Sequence, residues 1–240
     1  MTRYTESIKA NANKTDKEKQ SLLSQFNLNL ETGRYDYVGN LDYSILKYFV
    51  SEDRDGFTIN FGIVTGTFNC SSLGLTSLKG APQEVGESFY CVSNQLTSLE
   101  GAPTEVGGEF WCSYNELTSL KGAPREVGGT FFCYGNKLTS LEGAPQKVGG
   151  NFWCSYNELT SLKGAPREVG RDFHCYNNEL ISLEGAPQKV GRDFYCNNNK
   201  LTSLKGAPQK VSGDFSCIDN PSLHSLEGIG EVKGEIIKDF

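Results

Sequence analysis

The apolar positions of this chain recur with a period of 21 residues. The unit that begins at Val106 reads VGGEFWCSYNELTSLKGAPRE, and a ninth copy of it opens at Val232 and stops at Phe240. The eight preceding copies begin at Val64, Val85, Val106, Val127, Val148, Val169, Val190 and Val211. A fixed period of this size predicts a solenoid, because each unit buries its apolar side only against the units before and after it.

Alternation inside the unit predicts a strand. Phe110 and Cys112 flank Trp111, so the phenylalanine and the cysteine should point into the core while the tryptophan points outward. Two leucines and one valine complete the inward set. Seven of the eight prolines fall in the Gly-Ala-Pro segment of the return, through which no helix can run. The pattern therefore predicts a mainly β fold, a parallel β-solenoid of about nine coils.

Residues 1–63 depart from the period and predict a mixed N-terminal cap. The sequence TDKE at 15–18 has the spacing of a capping box, which predicts a short helix over about 16–26. Residues 38–43 look like a worn copy of the unit's opening. This copy would carry about six extra residues, which we place in the polar turn at 51–56.

The chain therefore divides into three parts. They are the cap (1–63), eight 21-residue repeats (64–231) and a C-terminal partial repeat (232–240). In the last part, Ile236, Ile237 and Phe240 should close the stack, because a terminal coil has no neighbour on one side.

All eight cysteines, from Cys70 to Cys217, occupy the same inward position of the unit. We predict a ladder of buried, reduced thiols, because parallel side chains on stacked strands have unfavourable geometry for disulfides. The chain has no CxxC pair, and His174 and His224 lie outside any ligand cluster. We therefore expect no metal site and no cofactor.

A second column is built from asparagine. Asn115 recurs as Asn94, Asn136, Asn157, Asn178, Asn199 and Asn220. A buried carboxamide both donates and accepts hydrogen bonds, so this column should satisfy turn backbone groups between coils.

One surface column alternates in charge. The residue after the second leucine is, in successive coils, Lys79, Glu100, Lys121, Glu142, Lys163, Glu184, Lys205 and Glu227. This order places opposite charges on adjacent coils, and we interpret it as avoidance of like-charge stacking rather than as a docking edge.

The unit resembles a known repeat family. FxCxxNxLTSL resembles the LxLxxNxLxxL signature of leucine-rich repeats, and it is closest to the short bacterial class. Variants with Gly-Ala-Pro and a core cysteine are similar to repeat proteins of bacteriophage and bacterial genomes. The resemblance covers residues 64–240 and implies a solenoid of leucine-rich-repeat type, with its strands on a concave face. Phe and Cys replace leucine in the strand, and the ubiquitin-ligase domain of the secreted bacterial effectors that use such repeats is not found here.

The outward residue of the predicted strand is aromatic in most coils. It is, in order, Asn69, Tyr90, Trp111, Phe132, Trp153, His174, Tyr195 and Ser216. Neighbouring columns add four tyrosines. The candidate binding residues on the concave face are therefore Tyr90, Trp111, Phe132, Trp153, His174, Tyr195, Tyr114, Tyr134, Tyr156 and Tyr176.

Two interpretations of this aromatic column stay open. Stacked rings stabilise a parallel sheet and suit strand propensity. A contiguous exposed aromatic patch is also typical of a recognition site, because Tyr and Trp dominate binding hot spots. The column ends in Asn or Ser on both sides, which favours recognition.

Composition excludes several function classes. Lys and Arg number 23 against 29 Asp and Glu, so no nucleic-acid surface is expected. No apolar run approaches the roughly 18 residues of a membrane span, and the N-terminus lacks the apolar core of a secretory signal. These features predict a cytoplasmic protein, or one in the host cytoplasm if it is phage-encoded. His174 has no carboxylate or nucleophile placed to act with it, so we expect no enzyme activity.

The first functional hypothesis is a non-enzymatic protein-interaction module, such as a phage protein acting on a host factor. It would bind a partner protein through the aromatic concave face. The alternatives are a carbohydrate-binding module that uses the same column, with Asn177, Asn178, Asn197 and Asn198 as polar contacts, and a structural or self-assembling component. The sequence specifies neither the partner nor the oligomeric state.

Overall fold

The computed structural model describes residues 16–240. Thr15, the first residue of the predicted capping box, lies outside the described residues. Helix α1 occupies 16–23 of this range and ends three residues earlier than expected. It ends in a tight turn, in which the Phe26 N–H donates to Leu23 O at 3.1 Å. This turn carries the Phe26 ring into the core, 4.8 Å from the ring of Tyr37.

The cap continues as a hairpin and a short helix before the coils begin. Its elements are β1 (Asn27–Asn29), β2 (Arg34–Tyr37), α2 (Tyr43–Leu46) and β3 (Phe61–Val64). Strands β1 and β2 are antiparallel, whereas β2 and β3 are parallel.

The worn copy of the unit starts one residue earlier than the sequence indicated. Tyr37 is in register with Val64, and Leu41 bridges to Phe68. Val38 is 75 % exposed. In a regular unit the Phe position follows the Val position by four residues, as Phe68 follows Val64. Leu41 takes the Phe position of the worn copy, so Tyr37 and not Val38 takes its Val position.

Each coil then contributes one strand to each of two sheets. The first sheet continues with β5 (Glu84–Val85), β7 (Glu105–Val106), β9 (Glu126–Val127), β11 (Lys147–Val148), β13 (Glu168–Val169), β15 (Lys189–Val190), β17 (Lys210–Val211) and β19 (Glu231–Val232). The second sheet consists of β4 (Phe68–Asn69), β6 (Phe89–Tyr90), β8 (Phe110–Trp111), β10 (Phe131–Phe132), β12 (Phe152–Trp153), β14 (Phe173–His174), β16 (Phe194–Tyr195), β18 (Phe215–Ser216) and β20 (Ile236–Ile237).

Neighbouring coils pair in parallel with a 21-residue register, as in Phe131 with Phe152. Within residues 16–240 the two sheets have eleven and nine strands. The prediction of a mainly β, parallel solenoid is confirmed. The strand of the first sheet was not predicted. A glycine makes the corner between the two strands possible, because a Cβ on Gly107 would lie 2.2 Å from the carbonyl oxygen of Gly86.

The core consists of ladders that run the length of the solenoid. The phenylalanine rings are fully buried and stack at 5.4 Å, as between Phe131 and Phe152. All eight cysteines are free and buried, which confirms the predicted ladder. Six of the thiols donate to a carbonyl oxygen of the next coil, as where Cys112 Sγ donates to Phe132 O at 3.3 Å. Burial raises the pKa of the Cys112 thiol well above its ordinary value, so it is held protonated.

The asparagine ladder joins successive coils through buried hydrogen bonds. Asn136 Nδ2 donates to Cys112 O at 3.1 Å and to Cys133 O at 3.0 Å. Its Oδ1 accepts from the backbone N–H of Leu117 at 3.1 Å and of Asn115 at 3.2 Å. One side chain thus satisfies four buried backbone groups, as the sequence predicted.

The charged column pairs as expected. Lys121 contacts Glu100 at 2.8 Å, and Lys163 contacts Glu142 at 2.7 Å. These side chains are largely exposed, so solvent screens each pair and its contribution to stability is small.

The final coil covers the ladder incompletely. Ile236 pairs with Phe215, which is fully buried. Ile236, Ile237 and Phe240 are themselves 39 %, 38 % and 37 % exposed. They shield the preceding coil while keeping more than a third of their own surface in water.

Candidate functional site

The outward residues of the second sheet form a continuous column of rings. Centroid distances between successive rings are 5.7 Å for Tyr90–Trp111, 3.7 Å for Trp111–Phe132, 6.1 Å for Phe132–Trp153, 3.8 Å for Trp153–His174 and 4.9 Å for His174–Tyr195. The parallel register produces this column, because equivalent residues of adjacent coils lie directly beside one another.

Four tyrosines stand beside the column at nearly right angles to their neighbours. Tyr134 contacts Tyr114 at 5.0 Å and 82°, and Tyr176 contacts Tyr156 at 5.5 Å and 83°. Tyr176 also lies edge-on against Trp153 at 6.2 Å. The structure thus brings all ten sequence-predicted residues into one connected surface, which we call the aromatic face.

The aromatic face consists of two similar halves, 42 residues apart in sequence. The first half-site contains Trp111, Tyr114, Phe132 and Tyr134, and the second half-site contains Trp153, Tyr156, His174 and Tyr176. Each half-site combines a closely stacked pair from the column with a perpendicular tyrosine pair. The widest step in the column, 6.1 Å, separates the two.

The stacked pairs present ring edges outward. The planes of Trp111 and Phe132 are 30° apart and those of Trp153 and His174 are 24° apart, so the ring faces cover one another. Ring edges carry the positive part of the aromatic quadrupole and attract oxygen atoms and the faces of other rings. A sugar stacks on ring faces, and within these two pairs the facing ring surfaces are already covered.

Tyr114 and Tyr156 are exposed tyrosines held in a strained backbone conformation. Both have φ = +55° and are 57 % and 58 % exposed. The equivalent residue also has positive φ in the other coils, where it is Ser72, Ser93, Gly135, Asn177, Asn198 or Asp219. Left-handed backbone costs a bulky L-residue about 1–2 kcal/mol. The column's mixture of Gly, Asn and Asp was the sequence signal for this conformation, and our sequence analysis missed it.

All buried side-chain polar atoms that lack a hydrogen-bond partner within residues 16–240 belong to this surface or its floor. They are Trp153 Nε1, His174 Nε2, Asn197 Oδ1, Ser113 Oγ and Ser155 Oγ. The two serine hydroxyls lie close enough to the hydroxyls of Tyr134 and Tyr176 to offset part of the rise in pKa that burial causes at these tyrosines, so only the other three atoms are without any polar neighbour. Ser113 and Ser155 occupy the same column as Tyr134 and Tyr176, one coil earlier in each case. Unpartnered buried polar atoms are rare in proteins and each costs about 1–3 kcal/mol.

The two tryptophans differ in their partners. Trp111 Nε1 donates to Glu109 Oε2 at 2.8 Å. Asn151 takes the place of Glu109 two coils later, and Trp153 Nε1 has no partner among the described residues. Near Trp153 the surface forms a depression of about 400 Å³, which His174, Tyr176, Tyr195 and Asn197 also line.

The four asparagines expected to surround a sugar do not act together. Asn178 belongs to the buried ladder, where its Nδ2 donates to Cys154 O at 3.1 Å. Asn177, Asn197 and Asn198 line the depression. The ladder prediction for Asn178 is confirmed, and its burial in the ladder removes it from the polar contacts suggested for a sugar.

His174 is buried in its stack, only 8 % exposed. Burial lowers its pKa to about 4, against which the Asp172 and Asp193 carboxylates act weakly. Its pKa in the unfolded chain is about 6.5, so His174 is neutral at pH 7 in both states. As the pH falls from 6.5 towards 4, the unfolded chain binds a proton that the folded chain does not, and folding stability decreases.

His174→Phe should remove this loss, because phenylalanine occupies the equivalent position, Phe132, in the first half-site. The urea midpoints of variant and wild type should differ by a constant amount above pH 7. Between pH 6.5 and 4 the difference should grow in favour of the variant. Equal pH slopes for the two proteins would show that His174 titrates normally.

A second surface groove was not anticipated from the sequence. It measures about 980 Å³ and runs along the first sheet past Val85, Val106 and Val127. Glu84, Glu105 and Glu126 are in direct register beside it. The sequence does contain the glutamate column that lines this groove. Its register became apparent only once the strand of the first sheet was known.

Two kinds of feature are absent from the described part of the chain. Residues 16–240 contain no group of three His, Cys, Asp or Glu side chains that could hold a metal ion. No helix in the same range has the length and apolar character needed to cross a membrane.

Comparison with family models, curated proteins and solved structures finds no match to this chain.

Proposed function

We propose that this chain is a non-enzymatic protein-interaction module that binds a partner protein through the aromatic face. The observation that carries the proposal is the concentration of unpartnered buried polar atoms there, above all Trp153 Nε1, His174 Nε2 and Asn197 Oδ1 within residues 16–240. A surface used only to stabilise the sheet has no need of such atoms, because their hydrogen-bonding capacity is lost without compensation. A bound partner would supply the missing bonds.

A protein fits this face better than a glycan. The outward ring edges of the two stacked pairs, Trp111–Phe132 and Trp153–His174, favour carbonyl oxygens and aromatic side chains over a stacked sugar. Tyr114 and Tyr156 add two large, exposed rings, and tyrosine and tryptophan are the residues most enriched in hot spots of protein interfaces. The strain at both tyrosines supports a role in contact, since glycine or asparagine would fit the same backbone at lower cost.

The proposal also includes the source of the protein and the cell compartment in which it meets its partner. The unit's resemblance to leucine-rich repeats of bacteria and bacteriophages supports a partner in the bacterial cytoplasm, such as a host factor. Effectors with similar repeats use them to recognise substrates, which supports a recognition role for the aromatic face.

Affinity capture from bacterial lysate tests the proposal. Trp111→Ala with Trp153→Ala should weaken capture of the partner at least tenfold, because truncating hot-spot side chains typically costs more than about 1 kcal/mol each. The control is Ile181→Ala, which truncates an apolar side chain that is 60 % exposed and does not belong to the aromatic face. Both variants are first compared with wild type by circular dichroism and thermal unfolding.

Equal capture by wild type and the folded double variant would contradict the proposal. Loss of a dimer or larger assembly in the double variant, measured by light scattering, would also contradict it. The face would then serve self-assembly.

A further inference from the structure

We propose that the aromatic face binds a proline-rich segment of its partner in the polyproline II conformation, running along the solenoid axis across both half-sites. This inference rests on the proposed function and specifies the chemistry of the partner. It follows from the spacing of the half-sites, their hydrogen-bonding groups and the shape of each tyrosine pair.

The spacing of the half-sites matches one turn of polyproline II. The half-sites are two coils apart, and adjacent strands lie about 4.8 Å apart, so equivalent positions are separated by about 10 Å. Along the face, the ring of Phe132 lies 3.7 Å from that of Trp111 and 6.1 Å from that of Trp153, which agrees with this figure. Polyproline II rises about 3.1 Å per residue with three residues per turn, so residues i and i+3 lie on one side, about 9 Å apart.

Other backbone conformations fit less well. In an extended strand, residues i and i+3 point to opposite faces, and residues i and i+2 are only about 7 Å apart. An α-helix does place residues i and i+7 on one side at about 10.5 Å. Its backbone groups are bonded internally, however, and offer nothing to the unpartnered atoms of this face.

The hydrogen-bonding groups of the face complement a polyproline II backbone. Such a backbone has no internal hydrogen bonds, so its carbonyl oxygens remain free to accept. Trp153 Nε1 is a donor without a partner in the described chain. Trp111 Nε1 is the equivalent donor in the first half-site, and its hydrogen bond goes to the Glu109 carboxylate. Because Trp153 Nε1 is covered in the free protein, a carbonyl reaches it only when neighbouring rings shift, and that shift alters the surroundings of the indole.

Each tyrosine pair provides a corner for a proline ring. Tyr114 meets Tyr134 at 82° and Tyr156 meets Tyr176 at 83°, so one ring of each pair presents its face beside the other's edge. The depression of about 400 Å³ lies next to Tyr176. Proline-rich segments dock on aromatic surfaces of this kind with little loss of conformational entropy, because the conformation exists before binding.

The test uses acetylated nonaproline amide, which spans about 28 Å as polyproline II, titrated into the full chain. The chain has two tryptophans, Trp111 and Trp153, so their emission reports on the half-sites directly. We expect a saturable emission change in wild type, with affinity measured by calorimetry. Trp111→Ala and Trp153→Ala should each weaken binding about tenfold, whereas Ile181→Ala should not change it.

Spacing is tested with two alanine-based peptides of identical composition. One places two prolines three residues apart and the other places them four residues apart. The first should bind more tightly, because only it presents both prolines to the two half-sites.

Three results would overturn the inference. They are no saturation by nonaproline at millimolar concentration, equal binding by the Trp111→Ala, Trp153→Ala double variant, and tighter binding of a helical alanine-rich peptide of the same length. A partner captured through the aromatic face in the absence of nonaproline binding would overturn the polyproline II inference alone. Equal capture of the partner by wild type and by the folded Trp111→Ala, Trp153→Ala double variant would overturn the proposed function itself.

Discussion

Asn136→Ala should lower the free energy of unfolding by about 3–5 kcal/mol, because it leaves four buried backbone groups without a hydrogen-bond partner. Asn136 donates to the carbonyls of Cys112 and Cys133 and accepts from the amides of Leu117 and Asn115. Its side chain is only 8 % exposed, so water replaces few of these bonds. Asn136→Asp should destabilise comparably, since a carboxylate keeps the acceptor and loses both donors.

Urea unfolding followed by circular dichroism measures this effect. The control is Asn198→Gly in a neighbouring column, where the side chain is exposed and the backbone has φ = +50°. Glycine adopts that conformation without strain, so the midpoint should change little. An Asn136→Ala midpoint close to that of wild type would show that the ladder contributes little to stability.

Phe152→Ala should destabilise the protein by about 3–5 kcal/mol, the usual loss for truncating a buried phenylalanine. Phe152 is fully buried and stacks on Phe131 and Phe173 at 5.4 Å on each side. Coils of a solenoid contact only their neighbours, so a defect in mid-array also weakens the coupling between the two ends. We therefore expect the single unfolding transition to broaden or to separate into two.

Ile236→Ala is the matched control because it truncates the same ladder position in the final coil. Ile236 is 39 % exposed and contacts a neighbouring coil on one side. The expected loss is about 1 kcal/mol, with a single transition retained. Equal losses for Phe152→Ala and Ile236→Ala would contradict the nearest-neighbour account.

The fold was largely predictable because one period constrains every register. Once Phe110 is paired with Phe131, each inward and outward position of the second sheet follows. The first sheet was not predictable in the same way, since a two-residue strand such as Glu105–Val106 has no alternation to recognise. Its existence depends on a glycine corner, and glycine alone does not distinguish a corner from a loop.

The composition of the aromatic face was predictable, but its geometry was not. Parallel register is enough to bring Trp111, Phe132 and Trp153 together. Whether their faces or edges point outward depends on side-chain packing between coils. The missing partner of Trp153 follows from one change, Asn151 in place of Glu109, whose effect is visible only when the indole nitrogen is located.

Photo-cross-linking at Tyr156 tests the central claim that the aromatic face is the binding surface. The residue is replaced by benzoylphenylalanine, and the same replacement at Ile181 is the control, since the two positions are 58 % and 60 % exposed. We predict that irradiation in bacterial lysate joins the partner to the protein from position 156 and not from position 181. Cross-linking from position 181 alone, or equally from both positions, would contradict the assignment of the aromatic face as the binding surface.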